Sequence, residues 1–374
     1  VSITKNGTGT LLLSSDNSTT YTGVTTIGNG ILQISNGGAL GTAASSTTIS
    51  PTGTLQIVGD NLTVTEAITI NGDGYNSLGA ISNTTGSNTL SGTITLAASS
   101  KITTGTSSGT ASDILIISAG INTASSSYTL TAEANKAMRI DGVISGAGRL
   151  TKSGSDTLAL TGTNTYTGLT TVSNGAISVR NAAALGTAAG STTVSSGAAV
   201  NIVGTLTVAE PFSLSGTGVG NGAIWIPSTS GATTLSGMIT TTAASRINTD
   251  IASGTGTLTI SGGVANTTGL TLGGVGDVTI NSVISGATAA TSNLIKDGAG
   301  KLILSSANTY AGTTTITSGI VQIQNSNALG TLSGSLGTSI GASAALEING
   351  ATAIPEAITI NGTGISNTGA IRLI

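Results

Sequence analysis

One phrase built of Thr, Gly, Asn and aliphatic residues occurs three times in this chain. It reads "STTYTGVTTIGNGILQI" at 18–34, "NTYTGLTTVSNGAISV" at 164–179 and "NTYAGTTTITSGIVQI" at 308–323. Aligned on it, Tyr21, Tyr166 and Tyr310 coincide, as do Gly23, Gly168 and Gly312, and then Gly30, Gly175 and Gly319. The tyrosines lie 145 and 144 residues apart. The match runs on upstream through "TKNGTGTLLL", "TKSGSDTLAL" and "IKDGAGKLIL", and downstream through "GALG", "AALG" and "NALG". Repetition of this length implies stacked copies, each covering the apolar face of its neighbour. The expected organisation is a super-repeat at 1–147, a second at 148–291 and part of a third at 292–374, in one continuous solenoid cut from a larger protein.

A shorter beat lies inside each super-repeat. Pairs of aliphatics separated by one residue recur as Leu11/Leu13, Leu32/Ile34 and Leu55/Ile57, then Leu158/Leu160, Ile177/Val179 and Val200/Ile202, then Leu302/Leu304, Val321/Ile323 and Leu346/Ile348. Alternation at period two is the strand signal, and 19 to 25 residues separate successive pairs. Gly and Asn-Gly punctuation, together with β-branched residues, argues against helices. A β-sandwich is the structural competitor, but it requires no such step. The predicted fold is therefore all-β, a parallel β-helix (β-solenoid) of roughly 18 coils at about 4.8 Å per coil. Leu, Ile, Val and Ala should fill its interior, with Gly and Asn at the corners. "TYTG" reads as a turn with a tyrosine leaning on it, "TTV" and "AISV" as strands, and "SNG" as the corner between them.

Only 7% of residues are charged, against about 25% in an ordinary soluble domain. Ser, Thr, Asn and Gln must cover the surface. A net charge of −3 with scattered basic residues carries no footprint for nucleic acid. The absence of Cys and His removes disulfides, thiolate nucleophiles and imidazole-based sites. There is no run of about 20 apolar residues, and the first residues do not read as a signal peptide.

The block of Leu-x-Leu, Asn-Thr-Tyr-x-Gly-x-Thr-Thr-(Val/Ile), Gly-x-(Leu/Ile/Val)-x-(Val/Ile) and Ala-Leu-Gly resembles the passenger-associated transport repeat of bacterial autotransporters. Its copies span 1–41, 148–186 and 292–330. The resemblance implies a right-handed parallel β-helix displayed at the surface of a Gram-negative bacterium. It would be exported through a C-terminal β-barrel, which would be its sole link to the membrane. Such passengers are mostly adhesins or structural surface proteins.

A catalytic solenoid would need clustered carboxylates. Glu66, Glu210 and Glu356 instead occupy one repeat position, about seven coils apart on the ~4.8 Å rise. Lys5, Lys152 and Lys296 also coincide, as solvated or coil-stapling residues. Asp297 beside Lys296, and Asp141 near Arg139 and Arg149, read as local surface pairs. "GGVGDV" at 273–278, with Asp277, is a single displaced relative of calcium-binding repeats and reads better as a Gly-rich corner. No catalytic residue, metal ligand or cofactor is expected. Trp225 in "GAIWIP" should point outward by alternation, as a contact for a partner, a carbohydrate or a neighbouring rod, or simply as cover for a local groove beside Pro227. The repeat-position tyrosines and glycines read as structural.

The functional reading is a non-enzymatic extracellular stalk of an autotransporter-type adhesin. The alternatives are a self-assembling filament, sheath or surface layer, and more distantly a polysaccharide-active enzyme. Nearly uncharged faces suit end-to-end or lateral self-association, and a host or carbohydrate ligand belongs to the adhesin reading. The stretch at 101–140 departs furthest from the repeat and reads as the one candidate insertion.

Overall fold

A computed structural model describes residues 1–105, 113–252, 254, 256–331, 337–350 and 353–374. The chain forms two compact units, Val1–Gly190 and Ser191–Ile374. Each is a parallel β-solenoid whose coils contribute strands to three ladders.

In the first unit one ladder begins with Ile3–Lys5, which pairs with 25–27 and then 47–49. A second begins with Thr10–Leu13 and climbs through Leu32, Leu55, Ile81, Ile102 and Ala132 to Lys152. A third carries Val64, Leu90, Ile117, Ile140, Leu160 and Val179 in register. In the second unit Val200, Ile224, Ile247, Leu272, Lys296, Ile316, Ile340 and Ile360 form one such column. Leu235, Ile260, Ile280, Leu304, Ile323 and Ile348 form another.

The alternation read from the sequence sets these faces. Ile177, Val179, Leu158 and Leu160 are fully buried, and Val200, Ile202, Leu302, Leu304, Val321 and Ile323 likewise. Leu11, Leu13 and Ile348 are exceptions, Leu11 being 38% exposed and the other two half-buried.

Register partners are 19 to 30 residues apart, as in Leu302↔Val321 and Ile102↔Ala132. The chain therefore makes fewer coils than the roughly 18 expected from a uniform 21-residue step. Longer steps absorb extra residues at corners while the strands keep register. Within 101–140, the described residues form ordinary strands, Ile114–Ile117, Thr129–Ala134 and Ala137–Ile140 among them. The insertion expected there is thus not found in the described part, and 106–112 lie outside the described residues.

The super-repeat is not a whole number of coils. Lys5 lies on Ile3–Lys5, and the next strand of that coil, Thr10–Leu13, reaches the Lys152 strand after six register steps. One super-repeat thus advances six coils and one face. The second unit repeats this independently. The strand after Glu210 is Phe212–Leu214, and the next strand of that coil, Ile224–Ile226, reaches Ile358–Ile360 after six steps, just beyond Glu356.

Leu158 has coils on both sides of it, and truncation there leaves a cavity that flanking coils cannot collapse into without breaking their ladders. Leu158→Ala is expected to cost about 2–5 kcal/mol, read as a lowered urea midpoint.

Candidate functional site

The thrice-repeated phrase builds one local assembly three times, and it is organised around a lysine. Lys5, Lys152 and Lys296 occupy inward positions, in register with Ile27, Val172 and Ile316 of the following coil. They are 6%, 0% and 2% exposed, which corrects the reading of them as solvated and supports coil-stapling. An ammonium in an aliphatic column is costly unless its protons are all bonded.

Backbone carbonyls meet that need with three bonds at Lys152 and Lys296 and two at Lys5. Lys152 Nζ donates to Ser153 O at 2.7 Å, Gly154 O at 2.8 Å and, one coil on, Asn174 O at 3.0 Å. Lys296 Nζ donates to Asp297 O at 2.7 Å, Gly298 O at 2.8 Å and more weakly to Ser318 O at 3.5 Å. Lys5 Nζ donates to Gly7 O at 2.8 Å and Asn29 O at 2.9 Å. Each ammonium therefore ties its own corner to the next. Burial lowers the pKa of Lys152 and Lys296 to about 8, partly offset by Asp156 and Asp297 respectively.

This geometry explains the recurring corner glycine. Gly30, Gly175 and Gly319 have φ of +74°, +64° and +74°. A Cβ there would lie 2.7, 2.9 and 2.9 Å from the lysine Nζ, and closer still to carbonyl oxygens of the corner beneath. Gly23, Gly168 and Gly312 answer a second approach, since their Cβ would fall 1.6 Å from Val1 O, 2.3 Å from Gly148 O and 2.5 Å from Ser292 O.

The tyrosine belongs to the interior. Tyr166 and Tyr310 are fully buried, and each hydroxyl bonds a threonine of its own phrase, Thr170 and Thr314, at 2.6 Å. Tyr21 is half-buried; its Oη accepts from the Ile3 amide at 3.0 Å and donates to Val24 O at 2.9 Å. The "ALG" glycines Gly41, Gly186 and Gly330 abut these tyrosines, where a Cβ would sit 2.3 to 2.6 Å from the Tyr carbonyl.

A third element, the Asn of "NTY", carried no assignment from the sequence. Asn164 Oδ1 accepts the Ile144 amide at 2.8 Å while Nδ2 donates to Ala184 O at 2.6 Å; Asn308 does the same with Ile284 and Ala328. In the first copy Asn17, displaced two residues upstream, bonds Ala39 O at 3.1 Å. Its recurrence was the available signal, and the displacement hid it.

The recurring glutamates are buried as well. Thr192 Oγ1 donates to Glu210 at 2.9 Å, and Thr338 bonds Glu356. In the first copy Thr47 and both Glu66 carboxylate oxygens are buried without a bond of good geometry, the nearest donors to Glu66 being the amides of Thr65 and Glu66 itself. Burial pushes Glu66 and Glu210 up to about 7 and raises Glu356. Glu210 and Glu356 lie six coils and one face apart rather than seven coils, and they cannot act on one substrate.

Other expectations divide. Arg139 pairs with Asp141 at 2.8 Å, whereas Asp297 pairs with Arg246, two coils below, at 2.7 Å. Asp277 starts a strand, and its carboxylate accepts the Lys301 amide at 2.8 Å. Trp225 lies on the outward side of Ile224–Ile226, half-buried, with its indole N–H donated to Asp250 at 2.7 Å. Among the described residues no three His, Cys, Asp or Glu side chains gather as a metal site. No helix among them is long and apolar enough to cross a membrane.

The family model of the passenger-associated transport repeat matches three segments, 3–34, 150–179 and 294–323. Each segment contains one buried lysine, its tyrosine and its corner glycine. The chain thus carries three such repeats, and in its all-β repeat architecture resembles autotransporter passengers. A curated protein of Brucella suis biovar 1 (strain 1330), the adhesin BmaC autotransporter, is 34% identical over 115 residues, which cover 31% of this chain and 3% of that protein. The chain therefore spans only a small part of that relative's length. No solved structure matches the chain.

Lys152→Met should leave three carbonyls without their donor and lower unfolding stability by about 2–4 kcal/mol in urea titration, despite the better hydrophobicity of Met. The glutamates set a pH dependence. A carboxyl whose folded pKa lies near 7, above its unfolded value near 4.5, binds more protons in the folded state between those values. Stability is therefore fully present below pH 4.5 and lost as pH rises through 7. Glu210→Gln should remove up to about 3 kcal/mol of that loss, so that its urea midpoint at pH 8 exceeds the parent's while the two converge at pH 4.

Proposed function

We propose that this chain is a non-enzymatic stalk segment of the extracellular passenger of an autotransporter-type adhesin, held at a bacterial cell surface. The observation that carries the reading is the coincidence of the three matched repeats with the three lysine-centred assemblies, in each of which the ammonium ties its own corner to the next coil. The partial likeness to an adhesin autotransporter supports the surface role, and the scattering of carboxylates supports a role without catalysis. Long parallel ladders with few exposed charges suit reach, because each added coil extends the structure by about 4.8 Å without new surface chemistry.

Electron cryotomography of cells producing the full-length protein tests this. Deleting 148–291 removes one super-repeat and rejoins equivalent positions. Singly standing surface fibres should shorten by about 30 Å. Ordered sheets or filaments whose height is unchanged by the deletion would replace the stalk reading with a self-assembling layer.

A further inference from the structure

The second unit carries, on the outward face of a ladder, a polar network separate from the lysine-centred assemblies. Its centre is Trp225, which lies in register between Asn201 and Asn248 on the outward side of its ladder. The indole Nε1 donates to Asp250 Oδ2 at 2.7 Å, and Asn248 Nδ2 donates to Asp250 Oδ1 at 3.0 Å. Arg246 Nη2 donates to Asn248 Oδ1 at 3.0 Å and also grips Asp297, two coils on, through both terminal nitrogens at 2.7 and 2.8 Å. Gly273 makes this possible. A Cβ at that position would lie 2.1 Å from Arg246 Nη2 and 2.2 Å from Asp297 Oδ1, so the bare backbone is what lets the ion pair cross the sheet.

Four side chains, Asp250, Asn248 and Arg246 of the next coil and Asp297 two coils further on, thus hold one indole in a fixed orientation. Thr and Ser cover most of the remaining outward positions in this chain at no such ordering cost. A half-buried aromatic ring held on the outward face by a polar network is pre-organised for a ligand with an apolar face and hydroxylated edges. Asp250 and Asp297 against Arg246 leave the cluster with one net negative charge, which disfavours anionic partners.

We propose that Trp225, with Asp250, Asn248 and Arg246, forms a platform for a neutral hexose unit of a polysaccharide, the sugar ring stacking on the indole while its hydroxyls bond the carboxylate, amide and guanidinium edges. This platform stands apart from the coil-joining repeats and does not depend on the stalk reading.

Trp225 is the only tryptophan of the chain, so intrinsic tryptophan emission of the full chain reports on this site alone. The probes are neutral glucose, galactose and mannose oligosaccharides, with a hyaluronate oligosaccharide as the anionic comparison, and acrylamide as a test of access. Acrylamide quenching, a saturable emission change with at least one neutral probe and little response to hyaluronate are expected. Asp250→Ala should weaken that binding by about tenfold or more, while Thr359→Ala, on the same ladder but far from the network, should leave it unchanged, both variants keeping the parent's thermal midpoint. Should Asp250→Ala unfold, Trp225→Phe followed by calorimetry with the same sugar replaces it, with at least tenfold loss expected. The proposal is overturned by an indole that acrylamide does not reach, by emission unchanged at millimolar concentrations of every neutral probe, or by hyaluronate binding as tightly as the neutral sugars.

Discussion

Parallel pairing fixes each inward residue directly above and below another, so any polar group that enters the interior must find its partners within its own coil or one coil away. Leu, Ile and Val meet this condition trivially by stacking in columns. Lys152, between Ala132 and Val172, does not. Its ammonium can be accommodated only where the chain leaves the strand and exposes carbonyls that no ladder claims. The corners at 153–154 and 174 provide them. The positive-φ glycine that follows is a consequence of the same demand, because the space its side chain would fill is already held by the ammonium and the carbonyls.

The buried lysine and the buried glutamate respond to burial in opposite chemical senses, and the fold treats them differently. The lysine keeps its charge at neutral pH and is surrounded by carbonyl dipoles that favour it. The glutamate meets a threonine hydroxyl and no cation. It is the weaker point of each super-repeat above neutrality, most of all at Glu66, where even the threonine bond is missing. Tyr310, Thr314, Thr338 and Glu356 place these polar groups on neighbouring coils, with Thr314 and Thr338 in register. The interior is thus an aliphatic core with narrow polar seams at recurring heights, satisfied locally around the lysines and unsatisfied at Glu66 and Thr47.

The fold class was legible in the sequence because period two and the long repeat are both carried by side-chain type, which the ladders preserve. Coil length was less legible. Corners tolerate extra residues, as the 27-residue step from Val208 to Leu235 does, and a mean spacing drawn from the regular segments underestimates them. The assembly around the lysine was half visible: recurrence marked Lys5, Lys152 and Lys296, but charge alone suggested solvent, since nothing in a sequence says that carbonyls will converge. The tyrosine was misplaced for a related reason, as a turn residue whose ring fills the interior of its own coil. Trp225 pointed outward as alternation required. Its partners Arg246, Asp250 and Asp297 are separated by up to 72 residues in sequence, and only the stacking of coils brings them together.

The fractional coil count of the super-repeat acts as a vernier. Because each super-repeat turns the pattern by one face as well as raising it six coils, a feature present once per super-repeat would point in three successive azimuths and regain its first only after about 19 coils, roughly 90 Å along the axis. An array of such repeats has no front or back. Whatever approaches it, from any side, meets the same chemistry at a height set by the direction of approach.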